Sequence, residues 1–330
     1  MTRYNACEDL LDRNLAEGRA DKLAFVDPAR GVTYGELARD SRKFANLLGD
    51  LGVRREQRIA LAMLDTVDWP VAFLGAIRAG VIPVCLNTLL SSEQYAYMLA
   101  DSRAKVLLVS PALLPALRPA LAQAPDLAHV IVVGPGAEGR EQDFAKLMAG
   151  ASDDFPPVDT HPDETAFWLY SSGSTGAPKG TKHVHTSLMD TARLFGQAVL
   201  GLRPDDVVHS AAKLFFAYGL GNSLSFPMSV GATTILNPDR PTPATVFDIL
   251  EKRQPTIFCG VPTLFAAMLH DPAHEAHKGS PRLRLSTSAG EALPEHIGSS
   301  WKKRFGSDIV DGVGSTEMLH IFLSNTPGDI

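Results

Sequence analysis

Apolar and polar residues follow two periods along the chain, one typical of helices and one typical of strands. Thr33 and Glu36 have the spacing of a capping box, and apolar residues then recur at helical intervals as far as Gly52. Further helices are predicted at 68–79, from 91 onwards, and at 111–124, 242–253, 262–269 and 294–305, and a helical pattern begins near His185. Short apolar runs predict strands at 58–64, 81–86, 105–109, 129–133, 207–211, 232–236, 256–259, 283–288 and 308–313.

This alternation of strands and helices predicts an α/β fold, with parallel sheets that carry helices on both faces. A chain of 330 residues is long for a single core. The stretch 134–163 is rich in glycine, proline and acidic residues, which is typical of a linker. We therefore expect two α/β subdomains, residues 1–150 and residues 151–330, the second carrying the glycine-rich loop and the pocket described below.

Composition narrows the class of protein. The net charge is −6 and no run of lysine and arginine is present, which argues against nucleic-acid binding. The three cysteines lie far apart without a CxxC pair, so we expect a reducing cytosol and no cysteine-based metal framework. The first residues are charged and no apolar run approaches the roughly 18 residues of a membrane span. These features predict a cytoplasmic protein with no membrane partner.

One loop carries the chemistry of an anion site. An apolar run at 166–170 leads into small and hydroxylated residues, whose successive N–H groups form a concave nest for anions. Ala177 and Pro178 separate the last glycine from the lysine, so the spacing is not that of a Walker P-loop. A plain connecting loop is the alternative. The candidate phosphate-binding residues are Ser171, Ser172, Gly173, Ser174, Thr175, Gly176 and Lys179.

The string YSSGSTGAPKG resembles the ATP-phosphate loop of the adenylate-forming enzymes, which include acyl- and aryl-CoA ligases, luciferases and peptide-synthetase adenylation domains. The departure from Walker spacing is that family's own pattern. The resemblance implies the large N-terminal domain of such an enzyme, with two mostly parallel sheets flanked by helices and a smaller β-rich portion.

Two strand-end turns, STSAGE at 286–291 and DGVGSTE at 311–317, fit the same family in its usual order. On its own, a glutamate in such a turn is most often a solvated charge. The resemblance implies that Thr316 contacts phosphate, that Glu317 helps to hold Mg²⁺, and that both act in catalysis with Lys179. It places the nucleotide against Ala289, Gly290, Glu291, Asp311, Gly312 and Thr316.

Two further strings, KLFFAYGLGN at 213–222 and MLHIFLSN at 318–325, match a narrower group of proteins than the family-wide motifs above. Their composition alone is also typical of an ordinary buried junction. Together they resemble benzoate-CoA ligases and the related hydroxybenzoate and aminobenzoate ligases. That resemblance implies an aryl pocket lined by Ala217, Tyr218, Gly219, Gly314, His320 and Ile321.

The implied reaction forms an aryl-adenylate from a small aromatic carboxylic acid and ATP with Mg²⁺, and then transfers the aryl group to coenzyme A. A carrier-protein-loading adenylation domain and a non-catalytic aryl-acid-binding protein remain alternatives, whereas the lysine spacing disfavours a P-loop kinase. A homodimer is compatible with the sequence. Because the family continues beyond the position of Ile330 with a lid domain that carries a catalytic lysine, we expect that lid to be absent here and turnover by this chain to be poor.

Six further histidines are candidates, and they fall into three groups. His209 could face the pocket and bond a ring hydroxyl or amine, or, by period-two alternation, lie on the far face with Ser210 inward. His183 and His185 could cap the helix that follows them or touch ligand. A polar segment with acidic neighbours reads as solvated surface rather than a metal site, and its histidines are His270, His274 and His277.

Overall fold

The strands form two sheets, each parallel over most of its width. The structure is a computed structural model that describes residues 2–171 and 177–330. The strands are β1 Leu23–Val26, β2 Gly31–Thr33, β3 Arg58–Ala62, β4 Ile82–Cys85, β5 Val106–Val109, β6 His129–Val132, β7 Gln142–Asp143, β8 Thr165–Ser171, β9 Lys179–Val184, β10 Val207–Ser210, β11 Thr233–Ile235, β12 Ile257–Gly260, β13 Leu285–Ala289, β14 Asp308–Gly314 and β15 Ile321–Ser324.

Helices connect these strands. They are α1 Arg13–Ala16, α2 Tyr34–Asp50, α3 Asp68–Arg78, α4 Ser92–Ser102, α5 Leu114–Leu121, α6 Phe144–Gly150, α7 His185–Thr191, α8 Ala217–Leu220, α9 Phe226–Val230, α10 Pro243–Lys252, α11 Pro262–His270 and α12 Glu295–Phe305. Three segments are π-helical, Glu8–Asp12, Ala192–Gln197 and Gly221–Ser225, and two are 3₁₀ turns, Pro111–Leu113 and Pro272–His274.

One sheet has seven strands in the order β7-β6-β5-β3-β4-β8-β9, and only β9 runs antiparallel to its neighbour. The other has eight strands in the order β15-β14-β13-β12-β10-β11-β1-β2, with β15 antiparallel to β14. These two sheets and their helices confirm the predicted α/β class. All the named strands belong to them, so the described residues contain no third sheet as a separate β-rich portion.

Local signals explain where several helices begin. Thr33 accepts a hydrogen bond from the backbone of Glu36, whose side chain reaches back to the Thr33 N–H, so the predicted capping box is confirmed. Ser91 and Gln94 cap α4 in the same way. The helix predicted at 111–124 is shorter, because a 3₁₀ turn at Pro111 precedes α5.

The chain forms two compact units. The first comprises the chain up to Lys22 together with Val32–Ser187, and the second comprises Leu23–Gly31 and Leu188–Ile330. The expected boundary at residue 150 does not coincide with this division, because β8 pairs in parallel with β4 and so joins the first sheet. The glycine-rich loop that follows β8 therefore begins in the first unit rather than in the second.

Each unit has its own apolar core. In the first, α4 and α5 pack on the strands around β5 through side chains such as Leu99, Leu107 and Leu117. In the second, α10, α11 and α12 cover one face of the sheet, where Phe258, Phe265 and Trp301 meet. The opposite face of this second sheet carries the residues of the candidate site.

Candidate functional site

The strands β8 and β9 form the stem of the predicted phosphate loop. They are antiparallel, with Ser171 opposite Lys179, and the side chain of Lys179 is exposed. A Cβ added to Gly180 would lie 3.0 Å from the Trp168 ring, so this position packs closely against the hairpin's own indole. The predicted ligands Ser172, Gly173, Ser174, Thr175 and Gly176 lie outside the described residues.

The carboxyl ends of β13 and β14 lie side by side in the second unit. Ser288 is in register with Asp311, and Ala289 is in register with Gly312. Gly290 follows with φ +97°, a conformation that favours glycine, and Glu291 is exposed beyond it. The structure therefore brings Ala289 and the turn after it next to Asp311 and Gly312. Ligands of parallel α/β sheets bind at such an edge.

Asp311 is hydrogen-bonded through one carboxylate oxygen and through its backbone N–H. Its Oδ2 accepts a hydrogen bond from the Leu293 N–H at 3.2 Å, and its own N–H donates to Asn325 Oδ1 at 2.9 Å. Its Oδ1 is buried and has no hydrogen-bond partner within residues 2–171 and 177–330.

Two glycines let β15 approach β14 closely. A Cβ at Gly312 would lie 2.5 Å from Ile321 Cγ2, and one at Gly314 would lie 2.6 Å from the His320 carbonyl oxygen. Gly314 pairs with Ile321 across a register shift. The predicted pocket residues Gly314, His320 and Ile321 are therefore held together by a packing that no larger residue allows.

His320 presents an uncharged imidazole. Its side chain is 2% exposed, and Nε2 lies 3.2 Å from the Tyr218 carbonyl oxygen, which makes Nε2–H the donor. Burial lowers its pKa to about 3, so the ring is neutral at physiological pH. The rings of Phe195, Tyr218 and Phe226 surround it at 4.4–5.3 Å between centroids. Its Nδ1 has no partner among the described residues and remains a hydrogen-bond acceptor.

The turn at the start of α8 positions Tyr218. A Cβ at Gly219 would lie 2.0 Å from the Lys213 carbonyl oxygen, so only glycine fits there and the backbone is fixed. Ala217 and Gly219 flank Tyr218, whose hydroxyl is buried. Burial, reinforced by Cys259 and Asp311, raises the pKa of Tyr218 well above its ordinary value, so the phenol stays protonated. The structure thus brings the predicted aryl-pocket residues Ala217, Tyr218 and Gly219 next to His320.

Two polar residues beside Tyr218 were missed by the sequence reasoning. Asn222 and Thr287 are 2% and 0% exposed, and each interacts with the Tyr218 hydroxyl. Neither the Asn222 amide nor the Thr287 hydroxyl has a hydrogen bond of ordinary geometry within the described part of the chain. The sequence spacing could have identified Asn222 as a neighbour of Tyr218, because residues four apart lie on the same face of a helix.

His209 lies on the other face of the sheet. It is in register with Phe258, the two rings stack at 6.0 Å, and Phe258 packs against Trp301 of α12. Its Nδ1 donates to the Ile235 carbonyl at 3.0 Å, and burial lowers its pKa to about 4. Of the two orientations that the alternation allows, the structure has the one with Ser210 inward. The aryl-site role considered for His209 is thereby corrected.

The other five candidate histidines make structural contacts. His183 stacks on Phe167 at 4.9 Å, and His185 is the first residue of α7 and accepts a hydrogen bond from the Ala6 N–H at 3.1 Å. His274 and His277 pack on the ring of Phe247. The 3₁₀ turn also places His274 Nδ1 2.8 Å from Asp271, and His270 Nδ1 lies 2.8 Å from the Ala266 carbonyl.

Thr316 and Glu317 lie in the turn between β14 and β15. The Thr316 carbonyl accepts the Leu319 N–H at 3.1 Å, Thr316 is half-buried, and Glu317 is exposed. No group of three or more metal-ligating side chains occurs among residues 2–171 and 177–330. A single carboxylate is compatible with Mg²⁺ that arrives with nucleotide phosphates, because this ion keeps much of its shell as water and phosphate oxygens.

No helix in the part of the chain that the structure describes combines the length and the apolar character required to cross a bilayer.

Known proteins share this α/β fold. Residues 11–330 match the model of the AMP-binding enzyme family, and the chain belongs to that family. It is 53% identical over 329 residues to benzoate-CoA ligase of Thauera aromatica, covering 99% of this chain and 62% of that protein. It is 51% identical over 324 residues to 4-hydroxybenzoate-CoA/benzoate-CoA ligase of Rhodopseudomonas palustris, covering 98% and 60%.

Solved structures of related ligases have the same fold as this chain. A benzoate-CoA ligase from Burkholderia xenovorans superposes with a TM-score of 0.92 at 47% identity, covering 99% of this chain and 64% of that one. An anthranilate-CoA ligase in complex with anthranoyl-AMP superposes with a TM-score of 0.96 at 39% identity, covering 99% and 63%. The chain therefore spans about three fifths of the length of these curated relatives.

Proposed function

We propose that the protein containing this chain is an ATP-dependent, AMP-forming aryl-CoA ligase for benzoate or a hydroxy- or aminobenzoate. The observation that carries the proposal is the uncharged aromatic site formed by Tyr218 and His320, beside the sheet-edge turn at Asp311. A flat ring suits such a lining. Two ligases named for aryl acids share more than half of this chain's residues, which supports the same substrate class.

The proposed chemistry has two steps. A carboxylate oxygen of the aryl acid attacks the α-phosphorus of ATP, forming the aryl-adenylate as pyrophosphate leaves. The sulfur of coenzyme A then attacks the adenylate carbonyl carbon, AMP leaves with its phosphate, and the thiol proton passes to solvent. Such reactions depend mainly on positioning and on stabilising phosphate charge.

The residues divide these tasks. We assign Lys179 and the loop at 171–176 to the ATP phosphates, and Thr316 to a phosphate oxygen. Glu317 would hold Mg²⁺, which supplies charge neutralisation to the phosphates when bound. We assign the adenine portion of the nucleotide to Ala289, Gly290, Glu291, Asp311 and Gly312. We assign the aryl ring to Ala217, Tyr218, Gly219, Gly314, His320 and Ile321, where the neutral imidazole keeps the lining of the ring site uncharged.

The test is acid-dependent ATP–pyrophosphate exchange by the protein, followed by thioester detection with coenzyme A and with a carrier-protein thiol as alternative acceptors. We expect exchange with one or more benzoates and a thioester with coenzyme A. Exchange with transfer only to the carrier thiol would favour a carrier-loading adenylation enzyme. Binding of aryl acids without exchange would favour a non-catalytic binding protein.

A further inference from the structure

We propose that Asn222 and Thr287, acting with the Tyr218 hydroxyl, select aryl acids that carry a hydrogen-bonding substituent on the ring. This inference rests on the proposed function and names the substrate class within it. Its starting point is a cluster of polar atoms that the second unit buries and leaves without hydrogen bonds of ordinary geometry among the described residues.

The π-helical segment Gly221–Ser225 sets the position of Asn222. It follows α8 directly, and Asn222 lies four residues after Tyr218, so both side chains project from one face of the helical run. π-helical turns occur frequently at functional sites, because their extra residue per turn re-aims a side chain. A Cβ at Gly221 would lie 2.4 Å from His320 Cδ2, which shows how closely this segment approaches the candidate aryl site.

Thr287 closes the cluster from the sheet. It is in register with Cys259, and both residues lie on the face opposite the His209–Phe258 pair. The Tyr218 hydroxyl interacts with Thr287, Asn222 and Cys259, which places it on this same face. The cluster is therefore formed by one helical run and one strand of the same compact unit.

The charge around the cluster defines what it can accept. The Asp311 carboxylate lies close enough to the Tyr218 hydroxyl to help raise its pKa, and this negative charge would repel an anionic group placed in the cluster. The substrate carboxylate is therefore excluded from this end, and a neutral substituent is favoured. The Asn222 carbonyl accepts, its amide donates, and the two hydroxyls do either, which matches a ring hydroxyl or amine.

An unsubstituted ring edge offers none of these bonds. A site built to bond a substrate hydroxyl or amine discriminates against the analogue that lacks it, since its own buried groups are then left unpaired. A trapped water is the competing occupant, because it would satisfy the same atoms whichever acid binds. The two occupants predict different selectivities, and this difference makes the inference testable.

The experiment compares the wild-type protein with Asn222→Leu and Thr287→Val, two volume-conserving changes that remove the polar atoms. Acid-dependent pyrophosphate release gives kcat/KM for benzoate and for the 2-, 3- and 4-hydroxy- and aminobenzoates. We expect the best substituted acid to exceed benzoate about tenfold in the wild type, and each variant to reduce this ratio about tenfold. Ser286→Ala is the control, because Ser286 lies one residue from Thr287 on the opposite face, bonded to Trp301.

Several outcomes would overturn the inference. A wild-type preference for benzoate, or ratios that both variants leave unchanged, would mean that water fills the cluster. If Asn222→Leu does not fold, Thr287→Val decides, with Thr287→Ser as the variant that should retain wild-type selectivity. Failure of the wild type to activate any of the seven acids would instead contradict the proposed function, so the two failures are distinguishable.

Discussion

Gly221 gives the sharpest test of how tightly the site is packed. An alanine methyl at this position would lie 2.4 Å from His320 Cδ2, 2.9 Å from His320 Nε2 and 2.9 Å from Phe226 Cζ. Carbon atoms in contact ordinarily lie about 3.5–4.0 Å apart. The His320 ring must therefore move by about 1 Å, away from the Tyr218 carbonyl to which its Nε2–H donates.

Opposing effects determine how much Gly221→Ala changes the free energy of unfolding. Replacing a helical glycine by alanine contributes about 1 kcal/mol of stability, whereas overpacking a buried site costs about 1–3 kcal/mol. Loss of the His320–Tyr218 hydrogen bond costs about 0.5–1.5 kcal/mol more. We expect Gly221→Ala to lower the free energy of unfolding by about 1–3 kcal/mol and to weaken aryl-acid binding.

The matched control is Gly298→Ala in the interior of α12. Its new Cβ would meet only Leu293 Cδ2, at 3.5 Å, which is an ordinary contact. This variant should gain about 0.5–1 kcal/mol from the reduced backbone entropy of the unfolded chain. Urea unfolding measures both variants, and titration with benzoates measures binding. If the two variants are equally stable and bind equally well, the packing of Gly221 against His320 cannot be as tight as described.

Three further predictions concern the nucleotide, the metal and pH. Lys179→Ala should weaken ATP binding by about 1.5–3 kcal/mol and leave aryl-acid affinity unchanged, so calorimetry that shows the reverse would remove Lys179 from the phosphate site. Glu317→Gln should raise the Mg²⁺ concentration needed for half-maximal adenylate formation, and an unchanged Mg²⁺ titration would contradict that assignment. Burial lowers the pKa values of His185, His209 and His320 to about 4, 4 and 3, so the unfolded chain binds more protons below about pH 6.5. Stability should be full above pH 7 and fall by roughly 2 kcal/mol per histidine between pH 6.5 and 5, and His209→Phe should flatten this slope in urea unfolding.

Hydrophobic periodicity and local capping signals were sufficient to predict most of the helices and strands. Thr33 and Ser91 begin helices through capping boxes that are visible in the sequence alone, and each of the predicted strands overlaps an observed one. The loop's assignment to a sheet was not predictable, since β8 joins β4 through pairing between Trp168 and Val84. Such long-range pairing depends on packing that no local window contains.

In the candidate site, too, some features could be predicted from the sequence and others depend on the folded packing. The resemblance of short strings placed Tyr218 and His320, and the structure adds their contact. It did not identify Asn222 or Thr287, because the burial of both and the absence of ordinary bonds to them among the described residues are properties of the folded chain. The face on which His209 lies depended on the register of β10 against β12, which alternation alone leaves undecided.

The strand β1 has a consequence for the newly made chain. It is synthesised well before β11, the strand with which it pairs through Phe25 and Thr234. At about 5–20 residues per second, ribosomes need roughly 10–40 s to make the intervening chain. Throughout that time the apolar segment Leu23–Val26 has an unpaired edge of the kind that promotes association between chains. Biosynthesis of the second unit thus requires one edge of this apolar strand to stay unpaired until β11 emerges, while its other edge can pair with β2.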